Sequence, residues 1–126
     1  MTEATYLQFE SLDRPVVLTQ APEIEAMLAD VLARWPHHRL PDAPDVPPFV
    51  SIAPGSVDGN WTLTARDSAA TPRRWDMVNT ICDLVAEMAW ERLRSEAELL
   101  CLHAAAADFG GRLVVFPNAR RAGKST

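Results

Sequence analysis

Residues 98–116 read ELLCLHAAAADFGGRLVVF, and the fold turns on whether they are strand or helix. The first ten, Glu98–Ala107, are nearly all apolar, which predicts burial on both faces. Periodicity alone does not separate a buried strand from a buried helix here, and the alanines favour helix. The next nine residues decide the matter. Asp108-Phe109-Gly110-Gly111 is a strong turn signal, and Arg112–Phe116 is short, β-branched and apolar, as a strand should be. Strand–turn–strand is the simplest reading, so a hairpin is expected near 98–117. The triplet Asp108-Phe109-Gly110 also matches the magnesium-binding triplet of protein kinases. The other parts of that kinase set are missing, so it reads as the hairpin turn.

The rest of the chain fits an α+β fold. Thr5–Glu10 alternates as a half-buried strand does, residues 11–15 are turn-rich, and Val16-Val17-Leu18 begins a second strand. Pro22 suits a helix start, and Glu23 and Glu25 suit the positive end of its dipole. Ile24, Met27, Leu28, Val31, Leu32 and Trp35 then form one helical face, expected to be core, and Pro36 ends it. Residues 36–48 carry Pro36, Pro41, Pro44, Pro47 and Pro48, which predicts an extended connection. His37, His38, Asp42 and Asp45 within it lack the rigid frame a metal site needs.

Phe49–Ala53 and Trp61–Ala65 read as strands around a turn-rich loop, and 66–72 as another loop. A second helix is expected from Arg74 or Trp75 to Arg94. Its expected buried face is Met77, Val78, Ile81, Leu84, Val85, Met88 and Ala89; Thr80, Asp83, Glu87, Glu91 and Arg94 form the expected polar stripe. The expected architecture is a mostly antiparallel sheet of about six strands, counting the 98–117 hairpin, with two packed helices, leading into a P-loop.

Composition narrows the function classes. The chain has 126 residues, 48% hydrophobic and 23% charged, which fits one globular domain and excludes collagen and disordered classes. Cys82 and Cys101 form no CxxC pair and are expected as buried, reduced thiols; with a cytoplasmic location, the sequon Asn60-Trp61-Thr62 has no role. No apolar run approaches the roughly 20 residues of a membrane span, and no signal peptide is visible. Residues 1–111 hold eight arginines against seventeen acids, net −9, while residues 112–126 hold Arg112, Arg120, Arg121 and Lys124 and no acid, net +4, which together give −5. An acidic body is a poor footprint for nucleic acid. The expected partners therefore include neither nucleic acid nor membrane. The basic terminal segment suits a compact anion such as phosphate.

Lys124 is the single lysine, and it stands in Ala122-Gly123-Lys124-Ser125-Thr126. A P-loop, G-x-x-x-x-G-K-[ST], follows a buried strand: its glycines turn backbone N–H groups towards phosphate, its lysine reaches the β- and γ-phosphates, and its hydroxyl holds magnesium. Leu113–Phe116 supplies the strand and Gly123, Lys124 and Ser125 the second half of the motif; Asn118 stands at the first glycine position.

Leu102-His103-Ala104-Ala105-Ala106, then residues 110–117, then Ala122–Thr126 resembles HPr kinase/phosphorylase and its bacterial relatives. In that family an apolar strand carrying a histidine precedes a hairpin, a second strand and the P-loop. The specific match covers roughly residues 98–126, and the remainder agrees in layout. The resemblance implies an ATP-dependent serine kinase using magnesium, acting on a small carrier protein or another substrate, with self-association as a further partner expectation. It implies that residues 1–126 are a single domain forming the N-terminal portion of a longer HPr-kinase-like domain. By position, Asn118, Ala122, Gly123, Lys124, Ser125 and Thr126 would line the nucleotide phosphates, and Ser125 would bind magnesium. His103 matches the family histidine near the nucleotide; a hydrogen-bonded core histidine is the equal alternative, and a general-base role would need a substrate hydroxyl within reach.

Two departures stand out. The family loop has glycine where this chain has Asn118 and Arg121; Asn tolerates positive φ, whereas a bulky Arg replaces a missing Cβ. No acid follows Asp108, so a second magnesium ligand and a catalytic base are missing, as is a helix after Ser125. The isolated chain is therefore expected to be catalytically inactive and to bind neither ATP nor magnesium. The alternative expectation is a non-enzymatic interaction module that keeps the fold with a degenerate P-loop.

Overall fold

The computed structural model describes residues 3–67, 71–99 and 104–117. The chain divides into two compact units, Met1–Glu96 and Ala97–Thr126. The first is an α+β unit whose six strands are β1 (Ala4–Phe9), β2 (Val16–Thr19), β3 (His37–Arg39), β4 (Val50–Pro54), β5 (Asn60–Ala65) and β6 (Arg73–Asp76). They lie in the order β3-β1-β2-β4-β5-β6, and every neighbouring pair is antiparallel except β2 with β4. Two helices, α1 (Pro22–Val31) and α2 (Met77–Arg94), accompany the sheet.

The pleat sorts the side chains. Leu7 and Phe9 of β1, Val16 and Leu18 of β2, Val50 and Ile52 of β4, and Leu63 of β5 are almost fully buried and share one core with the helices. That core closes on Ile24 and Leu28 of α1 and on Ile81, Leu84 and Met88 of α2. The residues between them point the other way: Tyr6, Gln8, Ser51, Ala53 and Thr62 are half-buried and Thr64 is exposed, while Val17, opposite Tyr6, is buried on that face.

The β1–β2 hairpin appears where the alternation and turn signals predict it, with Ser11 in the left-handed region (φ 66°). The Gln8 amide ties the turn by donating to the Leu12 carbonyl at 2.6 Å. Helix α1 starts at Pro22 as expected but ends at Val31 rather than Trp35. Pro36 disfavours helical backbone at Trp35. The indole of Trp35 donates instead to the Glu10 carbonyl at 2.9 Å, and its ring meets Phe9 edge-on at 6.1 Å. The α1 stripe is also wider than the core it meets, since Met27 is 37% and Val31 53% exposed.

Strand β3 corrects the expected connection. His37–Arg39 pairs with β1 between Pro36 and Pro41, and Leu40 N–H donates to Tyr6 O at 2.8 Å. An edge strand needs hydrogen bonds on one side only, so flanking prolines do not prevent it. Strand β6 corrects the expected helix start in the same way: Arg73–Asp76 pairs with β5, and α2 begins at Met77. Asp76 is the N-cap, its Oδ1 accepting from Asn79 N–H at 2.9 Å.

The second unit contains β7 (Ala105–Phe109) and β8 (Arg112–Phe116), an antiparallel hairpin. Gly110 and Gly111 have φ of 60° and 82°, the paired positive values of a type I′ turn. Asp108 Oδ1 accepts from Gly111 N–H at 2.9 Å, so the Asp-Phe-Gly triplet serves the turn. The hairpin forms its own two-stranded sheet rather than two of the six strands, and β7 starts at Ala105, with Glu98 and Leu99 outside any strand.

Candidate functional site

The residues expected to bind phosphate and magnesium, Asn118, Ala122, Gly123, Lys124, Ser125 and Thr126, lie outside the described residues, as do His103, Arg121 and Cys101. The structure describes the approach to them, the β7–β8 hairpin and Pro117. Among the described residues, no group of three or more His, Cys, Asp and Glu could hold a metal ion, and no helix is long and apolar enough to cross a membrane.

The strongest concentration of charge in the first unit is a four-membered cluster around Arg14. Arg14, in the β1–β2 turn, has only 10% of its side chain exposed, and Glu91 on α2 has 3%. The pair is bidentate: Arg14 Nε donates to Glu91 Oε1 at 2.9 Å, and an Arg14 Nη donates to Oε2 at 2.6 Å. The same Nη donates to Asp67 Oδ2 at 2.5 Å, and Arg94 reaches that oxygen at 3.3 Å. Two cations and two carboxylates thus neutralise each other.

The Glu91 hydrogen bond, opposed by burial and reinforced by Asp67, pushes the Arg14 guanidinium further towards its charged form. Asp67 is held below its ordinary value, chiefly by the Arg14 hydrogen bond against a desolvation cost, with help from the charges of Arg14, Arg94 and Arg66. A cavity of about 260 Å³ opens beside the cluster, lined also by Phe49, Glu87 and Trp90. No buried side-chain nitrogen or oxygen among the described residues lacks a hydrogen-bond partner. A carboxylate locked in a bidentate pair is neither a free base nor a free acid, so the cluster acts as a clamp joining the β1–β2 turn, the loop after β5 and α2.

The edge strands are fastened by the same chemistry. Register places Arg39 of β3 beside Leu7 and Arg73 of β6 beside Leu63, both on the core side. Arg39 Nε donates to Glu25 Oε1 of α1 at 2.5 Å, which raises the Arg39 value. Arg73 donates to Glu87 at 2.6 Å and lies 3.6 Å from Asp83, while the Trp75 indole donates to Asp83 at 2.7 Å. His37 stacks on Phe9 at 4.5 Å, and its Nδ1 lies 3.1 Å from Trp35 O, so it is a packing residue of the edge.

These contacts revise the expected faces of α2. Thr80 and Glu91, expected on the polar stripe, are buried beside Leu84 and Met88. Asp83 and Glu87 sit half-buried against Arg73. Val78, expected in the core, is 70% exposed, and Ala89 and Cys82 are exposed as well. Burial of Glu91 has a sequence signal: it stands three residues after Met88 and seven after Leu84, on one helical face. Its partner, 77 residues away, has none.

A second, more open cavity of about 660 Å³ lies where β2 and β4 end and both helices begin. Trp61, Met77 and Pro22 form apolar wall, and Glu3, Glu23 and Asp58 are its charged members. With no basic group among the lining residues, it is unsuited to nucleotide phosphate. The chain matches no protein-family model, no curated protein and no solved structure.

Proposed function

We propose that this chain is the N-terminal portion of an HPr-kinase-like, ATP-dependent serine kinase, and that the isolated chain does not turn over nucleotide. One observation carries this reading: an apolar strand, Leu113–Phe116, leads through Pro117 into Asn118–Thr126, with Gly123-Lys124-Ser125 at the offset of a P-loop. The β7–β8 hairpin before it supports the reading, because that family order places a hairpin there. The donor set is chemically suited to a magnesium nucleotide: Lys124 offers a point charge for phosphate, and Ser125 and Thr126 offer hydroxyls. ATP with magnesium would supply the transferable phosphoryl group. In the longer protein Lys124 and the backbone N–H groups around it would position the phosphates, and Ser125 would hold the metal. Within these 126 residues no carboxylate follows Asp108 to complete magnesium coordination or accept a substrate proton.

The test is a titration with magnesium ATP, read by calorimetry. The 126-residue chain is expected to show no saturable binding at millimolar nucleotide. A chain extended in frame is expected to bind and to lose binding on Lys124→Ala. Unchanged binding in that variant would refute the P-loop assignment. Saturable, Lys124-dependent binding by the 126-residue chain would refute the expectation that it binds no nucleotide. A second reading, an interaction module with a degenerate P-loop, is favoured by the outward face of α2, where the exposed residues from Val78 to Trp90 carry no charge.

A further inference from the structure

The open cavity of about 660 Å³ lies wholly within the first unit. Its volume falls in the range of about 300–1,000 Å³ usual for small-molecule sites. Its apolar wall is partly sunk into the fold: Trp61 is buried and Met77 half-buried, while Pro22 and Val57 are exposed. Backbone hydrogen bonds fix the rim. Gly55 N–H donates to Asn60 O at 2.8 Å and Asn60 N–H to Val57 O at 3.0 Å, which closes the β4–β5 loop, and Gln20 N–H donates to Glu3 O at 3.1 Å. A Cβ at residue 55 would stand 3.0 Å from Asn60 O, so glycine permits that closure.

Charge sorts what the cavity can take. Glu3, Glu23 and Asp58 are exposed along it, and among the described residues none of the three is in a salt bridge. An adjoining hollow shares Glu3, Gln20 and Pro22 and reaches Arg39, but Glu25 holds that guanidinium with hydrogen bonds of 2.5 and 2.6 Å. Helices α1 and α2 both start at the cavity, and each brings about half a positive charge. Three full negative charges outweigh them, and Asp76 caps α2 as well.

We propose that this cavity binds a linear aliphatic polyamine. Such a molecule carries several ammonium groups joined by methylene stems, and the cavity offers several carboxylates beside an apolar wall. The ammonium groups meet Glu3, Glu23 and Asp58, and the stems cover Trp61, Met77 and Pro22. A neutral apolar ligand would strip water from the carboxylates and give them no partner. A compact metal ion would answer the charge and leave the apolar wall in water. Residues 1–111 carry a net charge of −9, which draws polycations from a distance. The carboxylates are exposed, so each pair contributes little and binding is weak and sensitive to salt. The cavity shares no residue with the phosphate motif, so the polyamine site and the kinase reading stand or fall separately.

Titration of the full chain with spermidine, read by calorimetry and by amide NMR, tests it. Saturable one-to-one binding is expected, with shifts at Gly55, Gly59, Asn60 and Met77. It should weaken severalfold as ionic strength rises to about 0.15 M, where the screening length falls to about 8 Å. Glu23→Gln with Asp58→Asn is expected to weaken binding about fivefold or more, at about two- to fivefold for each exposed pair. Asp42→Asn with Asp45→Asn removes the same charge from the proline-rich connection, outside the cavity, and should change binding by less than about twofold. Hexaamminecobalt(III), as highly charged as spermidine but without methylene stems, is expected not to displace it at equal concentration. Circular dichroism checks the fold of both variants, and the amide shifts of the parent locate the site should either fail. The proposal is overturned by an absence of saturable binding, by shifts that fall outside the cavity, or by equal weakening in the two double variants. Displacement by hexaamminecobalt(III) would equally overturn it, since it would reduce the site to a patch of negative charge.

Discussion

Replacing Glu91 by Gln keeps the volume of a side chain with 3% exposure but removes the charge that faces Arg14 at 2.6 and 2.9 Å. The amide oxygen can still accept one of the two hydrogen bonds; its NH₂ group meets a donor where an acceptor stood. Breaking a buried ion pair from one side costs about 3–5 kcal/mol, because the other charge stays buried. Arg14 is not wholly abandoned here, since it keeps Asp67 at 2.5 Å. Asp67 is half exposed, so water screens that contact and it replaces only part of the loss. The expected cost is therefore about 2–3 kcal/mol. Urea unfolding followed by circular dichroism reads it directly. With a slope of about 1–1.5 kcal/mol per molar for a domain of this size, the midpoint falls by about 2 M. The double variant Arg14→Met with Glu91→Leu removes both charges and is expected to recover most of the loss, as apolar replacement of a buried pair commonly does. A Glu91→Gln midpoint within experimental error of the parent would refute the clamp, and a double variant weaker than either single one would refute the desolvation argument.

Two further substitutions bear on the same unit. Asp67 has a lowered folded value, so its contribution is present above the unfolded carboxylate value and is lost as pH falls through the folded one. Asp67→Asn is accordingly expected to flatten the stability–pH curve below about pH 4; an acid limb identical to the parent's would count against the Arg14–Asp67 contact. Asp76→Ala removes the N-cap of α2 and is expected to cost about 1 kcal/mol, whereas Asp76→Asn should cost only a few tenths. Equal losses in the two would mean that the cap hydrogen bond to Asn79 contributes little.

Much of the fold is legible in local pattern. Alternation in Thr5–Phe9, the Gly110-Gly111 turn and the helical spacing from Ile24 to Leu28 each lead to the element found, because each depends on neighbours in the chain. The elements that local pattern misplaces share a cause. His37–Arg39 looks like linker and Arg73–Asp76 like the run-in to a helix, since both are polar and short. Their strand character comes from a neighbouring strand that offers a free edge. The candidate nucleotide residues are read from motif spacing, whereas the Arg14 cluster is assembled from three segments with no shared motif.

The α+β class, the two helices and the hairpin turns follow from local pattern, since period, capping and positive-φ glycines act within a few residues. The sequence also places the lone lysine in a Gly-Lys-Ser-Thr run behind an apolar stretch. The tertiary structure decided which face of α2 is the inside. Hydrophobicity alone sends Val78 and Ala89 inward and Glu91 outward. The fold does the reverse, because Arg14 lies where Glu91 meets it as a buried bidentate partner and edge strand β6 draws Asp83 and Glu87 to one side. A charge is buried where its partner is, and that partner's place is set by strand order rather than by position in the chain.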